Sequence, residues 1–287
     1  MMSKGLKRFF IVCAIAVGLG LLLSVVGYVT GGVRNLDKMS DRYEWFDVGY
    51  ADMTYMQLDE GTTFDAIEVK GSVDVVICRG NTGKARLRFD KNYTPPQLEV
   101  IDGVLKVSAD VGDDHALVNF RFGDSMPLVE IYVPEGKTLR DINIDSDYGD
   151  VNIENVSAGN IKIEEDYGDM DFVSVDCVSL RIISDAGDID AEDLKCGGLY
   201  IDSDLGDIDI SGEFTGTTEI RSDSGDIELD TALAEALYSV DADVDVGELS
   251  IGESEYDYMD KRITVGSGEN LIKIVSDCGD VDIGFGR

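Results

Sequence analysis

The sequence predicts an all-β fold: a parallel β-solenoid of rungs about 19 residues long, preceded by one N-terminal transmembrane helix. Three observations carry this. Two short apolar alternations around a turn of the form SDxGD recur from Ile142 to Ile283, with central glycines Gly149, Gly168, Gly187, Gly206, Gly225, Gly247 and Gly279. The first four steps between those glycines are 19 residues each, followed by 22 and 32. A fixed period of this size marks a stacked architecture in which no unit can bury its apolar face alone. The third observation is an uncharged apolar run at the N-terminus.

That run extends from Phe9 to about Val29 behind a short tail carrying Lys4, Lys7 and Arg8. It is long enough to cross a hydrocarbon core of roughly 30 Å as a helix. No Ala-x-Ala cleavage signal closes it, so an uncleaved anchor over residues 9–31 is expected rather than a signal peptide. The basic tail, residues 1–8, would stay in the cytoplasm, making a single-pass protein of the cell membrane with its domain outside. Residues 32–62 read as a juxtamembrane spacer with a charged, aromatic middle that includes Trp45, Tyr50 and Tyr55.

The domain is expected over residues 63–287. Ile67, Val69, Val73 and Val75 resemble a shortened rung. Leu98 to Val107 reads as a hairpin turning at Asp102-Gly103, and Leu128 to Val133 as a further strand. In each full rung, apolar, mostly β-branched residues alternate with polar ones, as at Leu199, Ile201, Ile208 and Ile210 around Gly206. Period-two alternation gives each strand one buried face. The segment Asp230 to Tyr238 has helical composition and predicts a one- or two-turn excursion. Gly252 to Asn270 interrupts the repeats, so this insert is expected to cap the far end.

Stacking converts sequence columns into ladders. Two residues before the glycine stand Asp147, Asp166, Asp185, Asp204 and Asp223; one residue after it stand Asp150, Asp169, Asp188, Asp207 and Asp226. Like charges one rung apart, about 4.8 Å, repel by about 1 kcal/mol in water and about 3.5 kcal/mol at an effective dielectric of 20. Such columns need solvation, protonation or a bridging cation. Calcium, which prefers several carboxylate and carbonyl oxygens, is a candidate for these ten aspartates. The alternative is that the first Asp caps its own turn and the second points to water.

Residues beyond 31 hold 21 Lys and Arg against 58 Asp and Glu, a net charge of −37. This excludes nucleic acid as a partner, since phosphate recognition needs basic patches. It suits cationic partners, divalent metals or solubility. Catalysis has little footing. The single histidine, His115, lies in a polar stretch, and the carboxylates repeat so uniformly that no pair is singled out. No cofactor is implied beyond calcium. Cys177 and Cys196 each follow their glycine by nine residues and should stack on adjacent rungs. They read either as a disulfide or as two small buried residues, with Ala158 and Ala234 in the same column.

The segments FDAIEVKGSVDVVI and LVEIYVPEGKTLRDINIDSDYGDVNI, with the recurring SDxGDIxI, resemble the "putative adhesin" domain-of-unknown-function family of bacterial envelope proteins over roughly residues 63–287. The resemblance implies a right-handed parallel β-solenoid, often membrane-tethered, with links to envelope stress regulation, and brings no catalytic residues. The expected function is a binding or structural envelope protein of adhesin type; an accessory or sensor role is the alternative. Expected partners are the membrane, through the N-terminal helix, and an envelope protein or cell-wall polymer. Contact is expected at the variable turn tips, Tyr148, Tyr167, Ala186, Leu205, Ser224, Val246 and Cys278.

Overall fold

The computed structural model describes residues 46–50, 52–91, 94–109, 118–122, 126–256 and 262–286. Phe46–Tyr50 pairs in parallel with Val118–Phe122 as a two-stranded unit of its own. The remainder of the described chain forms one sheet of 21 strands.

The rungs lie one above another at the sequence period. Ile142 and Ile144 pair with Ile161 and Ile163, which pair with Leu180 and Ile182, then with Leu199 and Ile201. Across the turn, Val151 and Ile153 pair with Met170 and Phe172, then with Ile189 and Ala191. All of these side chains are buried. The inward columns are mostly β-branched, with Leu180, Leu199, Met170, Phe172 and Ala191 among them, which suits a pleated surface. Each fully buried Ile or Val contributes roughly 1.5–3 kcal/mol, and only the neighbouring rungs bury it.

The turns need glycine. Gly206 has φ +136°, and a Cβ there would lie 2.1 Å from Gly187 O on the rung below. Gly187 stands against Gly168 O in the same way, at 1.9 Å. The glycines therefore permit both the left-handed backbone and the close approach of successive turns.

Ile67 and Val69 do form a shortened rung, paired with Ile142 and Ile144, and Val75 and Ile77 pair with Val151 and Ile153. Gln97–Ile101 and Val104–Ala109 form the hairpin read at Asp102-Gly103, and both turn residues have positive φ, 51° and 80°. At the far end the order is not the sequence order. Asn270–Ser276 lies between Ile208–Ser224 and Tyr238–Val244, and Val281–Gly286 lies between Ile227–Ala234 and Leu249–Ile251. The last copy in sequence is inserted beneath the copy that precedes it. The insert then covers the end: Arg262–Gly266 and Ser254–Tyr256 pair antiparallel with the outermost rung.

The expected architecture is corrected in three respects. The sheet is mixed rather than purely parallel, a nearly closed, barrel-like winding of strands. Met53–Gln57, Lys84–Asp90 and Leu128–Pro134 pair antiparallel in sequence of contact, as do the strands over the far end. A terminal rung leaves a row of unpaired N–H and C=O groups, and antiparallel strands cover it, a need invisible in the repeats themselves. Second, the excursion at Asp230 to Tyr238 is strand, with only a three-residue 3-10 turn at Glu235–Leu237. Third, the transmembrane helix expected over 9–31 lies outside the described residues, and among the described residues no helix is long and apolar enough to cross a membrane. The single-pass placement in the cell membrane therefore has no support in the structure. His115 and Trp45 also lie outside the described residues.

Candidate functional site

The turn edge gathers the residues that sequence singled out, and it organises them differently. The aspartate after each glycine is not idle in solvent. Asp150 Oδ1 accepts the backbone N–H of Asp169 at 3.1 Å, Asp169 Oδ1 that of Asp188 at 3.0 Å, and Asp188 Oδ1 that of Asp207 at 2.9 Å. The series begins at Asp74, which accepts from Asp150, and continues through Asp207, Asp226 and Asp280 to the N–H of Glu248. Each carboxylate thus satisfies the backbone of the next rung, and a charge-assisted bond of this kind is stronger than a neutral one. Of the two roles weighed for this column, neither anticipated a bond between rungs.

The aspartates before the glycine, Asp147, Asp166, Asp185, Asp204 and Asp223, are exposed. Among the described residues no three His, Cys, Asp or Glu side chains converge as a group that could hold a metal ion. The ten aspartates considered for calcium stand in two columns rather than in closed clusters. A third acidic column, Asp171, Asp190 and Asp209, lines a shallow groove together with Val173, Glu192 and Ser211. Partial burial, then the charges of Asp171 and Asp209, push the Asp190 carboxyl above its usual range. Asp209 does the same to Glu228, helped by burial.

Between the columns stand the turn tips. Tyr148 and Tyr167 stack, ring centroids 5.3 Å apart and planes 9° from parallel. They are 54% and 53% exposed, so the stack is presented outward. Leu205 and Val246 continue the column at 55% and 64% exposure. Opposite this edge the strand face is neutralised internally. Lys162 pairs with Glu164 at 2.7 Å, Lys273 and Arg221 with Glu219 at 2.9 and 2.7 Å, and Arg181 lies 4.0 Å over the Tyr200 ring. The acidic groove, by contrast, has no cation in its lining.

A family model described as Toastrack DUF4097 matches residues 64–284. The chain belongs to the Toastrack DUF4097 family. Among solved structures it is similar to a "putative adhesin" from Bacteroides fragilis, at 13% identity over 81% of this chain and 97% of that one, with a TM-score of 0.45. It is similar to a "putative lipid binding protein" from Parabacteroides distasonis, at 15% identity over 84% and 100%, TM-score 0.41. A "putative adhesin" from the same organism follows at 18% identity over 83% and 100%, TM-score 0.36. No curated protein matches the chain. At these scores the structural likenesses carry no argument about this Toastrack chain, whose site rests on its own geometry.

Within the Toastrack repeats Cys177 and Cys196 are in register and buried, their sulfurs 3.5 Å apart, and both are free thiols here. Their mutual hydrogen bond and burial raise the Cys177 thiol well above the ordinary range. Ala158 shares their column as expected; on the next rung Phe214 pairs with Cys196, after a register shift around Gly212, and Ala234 lies beyond a second shift, opposite Gly286. Sequence reading missed one residue altogether. Three positions before the turn glycine stand Ser146, Ser184, Ser203, Ser222 and Ser276, all buried; before Gly247 the place is held by Val244, and in the second rung by Glu165. The signal was present: EEDYGD departs from SDxGD at a position whose inward face the alternation already implied.

Proposed function

We propose that the chain is a non-catalytic, adhesin-like binding module that grips a basic polypeptide segment along its turn edge. The observation that carries this is the outward Tyr148–Tyr167 stack, set in the chain between exposed aspartates on either side. Aromatic faces attract Lys and Arg cations, and neighbouring carboxylates add bidentate partners for guanidinium. The formal net charge of −34 steers such a partner inward from solution. Uniform carboxylate columns, which mark no one pair for acid–base work, suit repeated contacts along an extended partner better than a reaction at one point. Membership of the Toastrack family supports a binding or structural role.

Fluorescence anisotropy of a labelled oligo-arginine peptide, titrated with the full chain, tests the reading. Saturable binding that weakens with salt is expected, with a loss of about tenfold or more in the double variant Y148S/Y167S. Equal binding by that variant would remove the edge from the account.

A further inference from the structure

Glu165 is 2% exposed, and neither carboxyl oxygen makes a well-formed hydrogen bond; the Ser146 hydroxyl, near enough to favour its charged form, is engaged with Tyr148 O. It sits directly beneath the edge. A Cβ placed on Gly168 would lie 3.3 Å from Glu165 Oε1, so the carboxyl lies under the turn that presents Tyr167. That turn is also the odd one: the other six turn glycines have φ between +136° and +151°, and Gly168 lies outside the left-handed range. Glu165 is in register with Ser146, whose hydroxyl donates to the backbone oxygen of Tyr148 at 3.2 Å. Two rungs, the two that carry the stacked tyrosines, therefore meet over one buried carboxyl.

The charged groups around it are all acidic. Asp166 adjoins it on its own strand, and Asp147 and Asp150 lie on the rung below. On the rung above, its register partner is Ser184, with Asp185 and Asp188 in the same turn. No cation faces it among these neighbours. Burial, opposed by Ser146 and reinforced by Asp166, Asp150 and Asp147, pushes its ionisation up to about 8.

We infer that Glu165, in its neutral form, is a positioning residue for the Tyr148–Tyr167 edge, and that its ionisation releases the edge. A protonated carboxyl has an O–H to donate, and the Ser146 hydroxyl oxygen can accept it while still donating to Tyr148 O. An ionised carboxylate only accepts. It draws the Ser146 proton to itself, so the Tyr148 oxygen loses its partner and the charge draws water under the Gly168 turn. The edge is then ordered in neutral or acidic surroundings and loosened in mildly alkaline ones. The switch deepens the binding proposal and rests on it for its consequence, though not for its structural effect.

Two readouts on the full chain separate the parts. The first is the ring resonances of Tyr148 and Tyr167, followed by NMR from about pH 6 to about pH 9.5. A shared transition near pH 8 is expected in the wild type and absent in E165Q, which stays neutral, and in E165S, which carries the serine found in five of the other six turns. The second is affinity for oligo-arginine, whose charge is constant over this range. It is expected to fall about tenfold or more across the transition in the wild type and to stay flat in both variants. Resonances without the transition, or a transition that persists in E165Q, would overturn the inference. A clear transition with no effect on affinity would sink the gating of binding, and no binding at any pH would sink the binding proposal while leaving the structural switch standing.

Discussion

Asp150 holds the backbone N–H of Asp169 at 3.1 Å from one rung to the next. The same relation recurs up the stack as far as Glu248, so a column that looks like pure repulsion in sequence is also a line of bonds between rungs. Attraction to a backbone dipole offsets repulsion between solvated carboxylates. The balance sets what substitutions will do.

Asparagine keeps the carbonyl acceptor and removes the charge, whereas alanine removes both. D188N is therefore expected to be neutral or stabilising by up to about 1 kcal/mol at pH 7 and low salt, and D188A to destabilise by about 1 kcal/mol through loss of the bond to Asp207 N–H. Urea unfolding midpoints at low and high salt check this. Equal loss in both variants would show that charge, not the acceptor, matters at this position.

The turn glycines respond to a sharper constraint. In G206A the new Cβ would meet Gly187 O at 2.1 Å with φ at +136°, and a loss of several kcal/mol is expected. Gly198 has nothing within 4 Å of such a Cβ, so G198A is expected to change stability by less than about 0.5 kcal/mol. Thermal melts of the two variants side by side provide the comparison.

Stability should fall as pH rises from acid to mildly alkaline. Glu165 is raised from 4.5 to about 8 in the folded chain. Between these values the native state holds a proton that the unfolded chain has released, so the group's contribution is complete below about 4.5 and is lost as pH passes about 8. Asp190 and Glu228, also raised, act with the same sign. Asp241, Glu219, Asp141 and Glu68 are lowered, by hydrogen bonds to Arg262, Lys273, Asn160 and Lys70 first, and oppose this only in stronger acid. Across the Glu165 interval the change is of order a few kcal/mol once solvent relaxation is allowed for. E165Q should raise the melting temperature near pH 8 and leave it nearly unchanged near pH 4.5. Identical pH profiles would refute the assignment.

Cations are expected to act by screening. The acidic columns are spread along the stack, and one oxygen of each aspartate after the glycine already faces a backbone N–H. Calcium and magnesium at matched ionic strength should therefore raise the melting temperature equally. A calcium-specific rise would reveal a coordination site formed on binding.

Much of this was legible because it repeats. Ile142, Ile161, Leu180 and Leu199 lie in register at the period their sequence shows, and the turn tips fall where the glycines put them. Stacking order was legible only while the period held. Nothing local in Ile272 or Ile274 says that their strand slides beneath Val240 and Ala242, because the choice is made by long-range pairing. The antiparallel covers escaped for the same reason: Met53–Gln57 and Arg262–Gly266 carry no copy of the motif. Glu165 was hidden differently. Its position implied burial, but its charge suggested another member of an acidic face.

The central claim is that the Tyr148–Tyr167 edge is the binding surface. Amide shift mapping of the isotopically labelled chain, titrated with oligo-arginine at about pH 6.5, tests it most directly. The largest, saturable shifts are expected at Tyr148, Tyr167, Ala186 and Leu205. Shifts confined to the opposite strand face, at Lys162, Arg181 and Lys273, or none at the turn tips, would contradict the account.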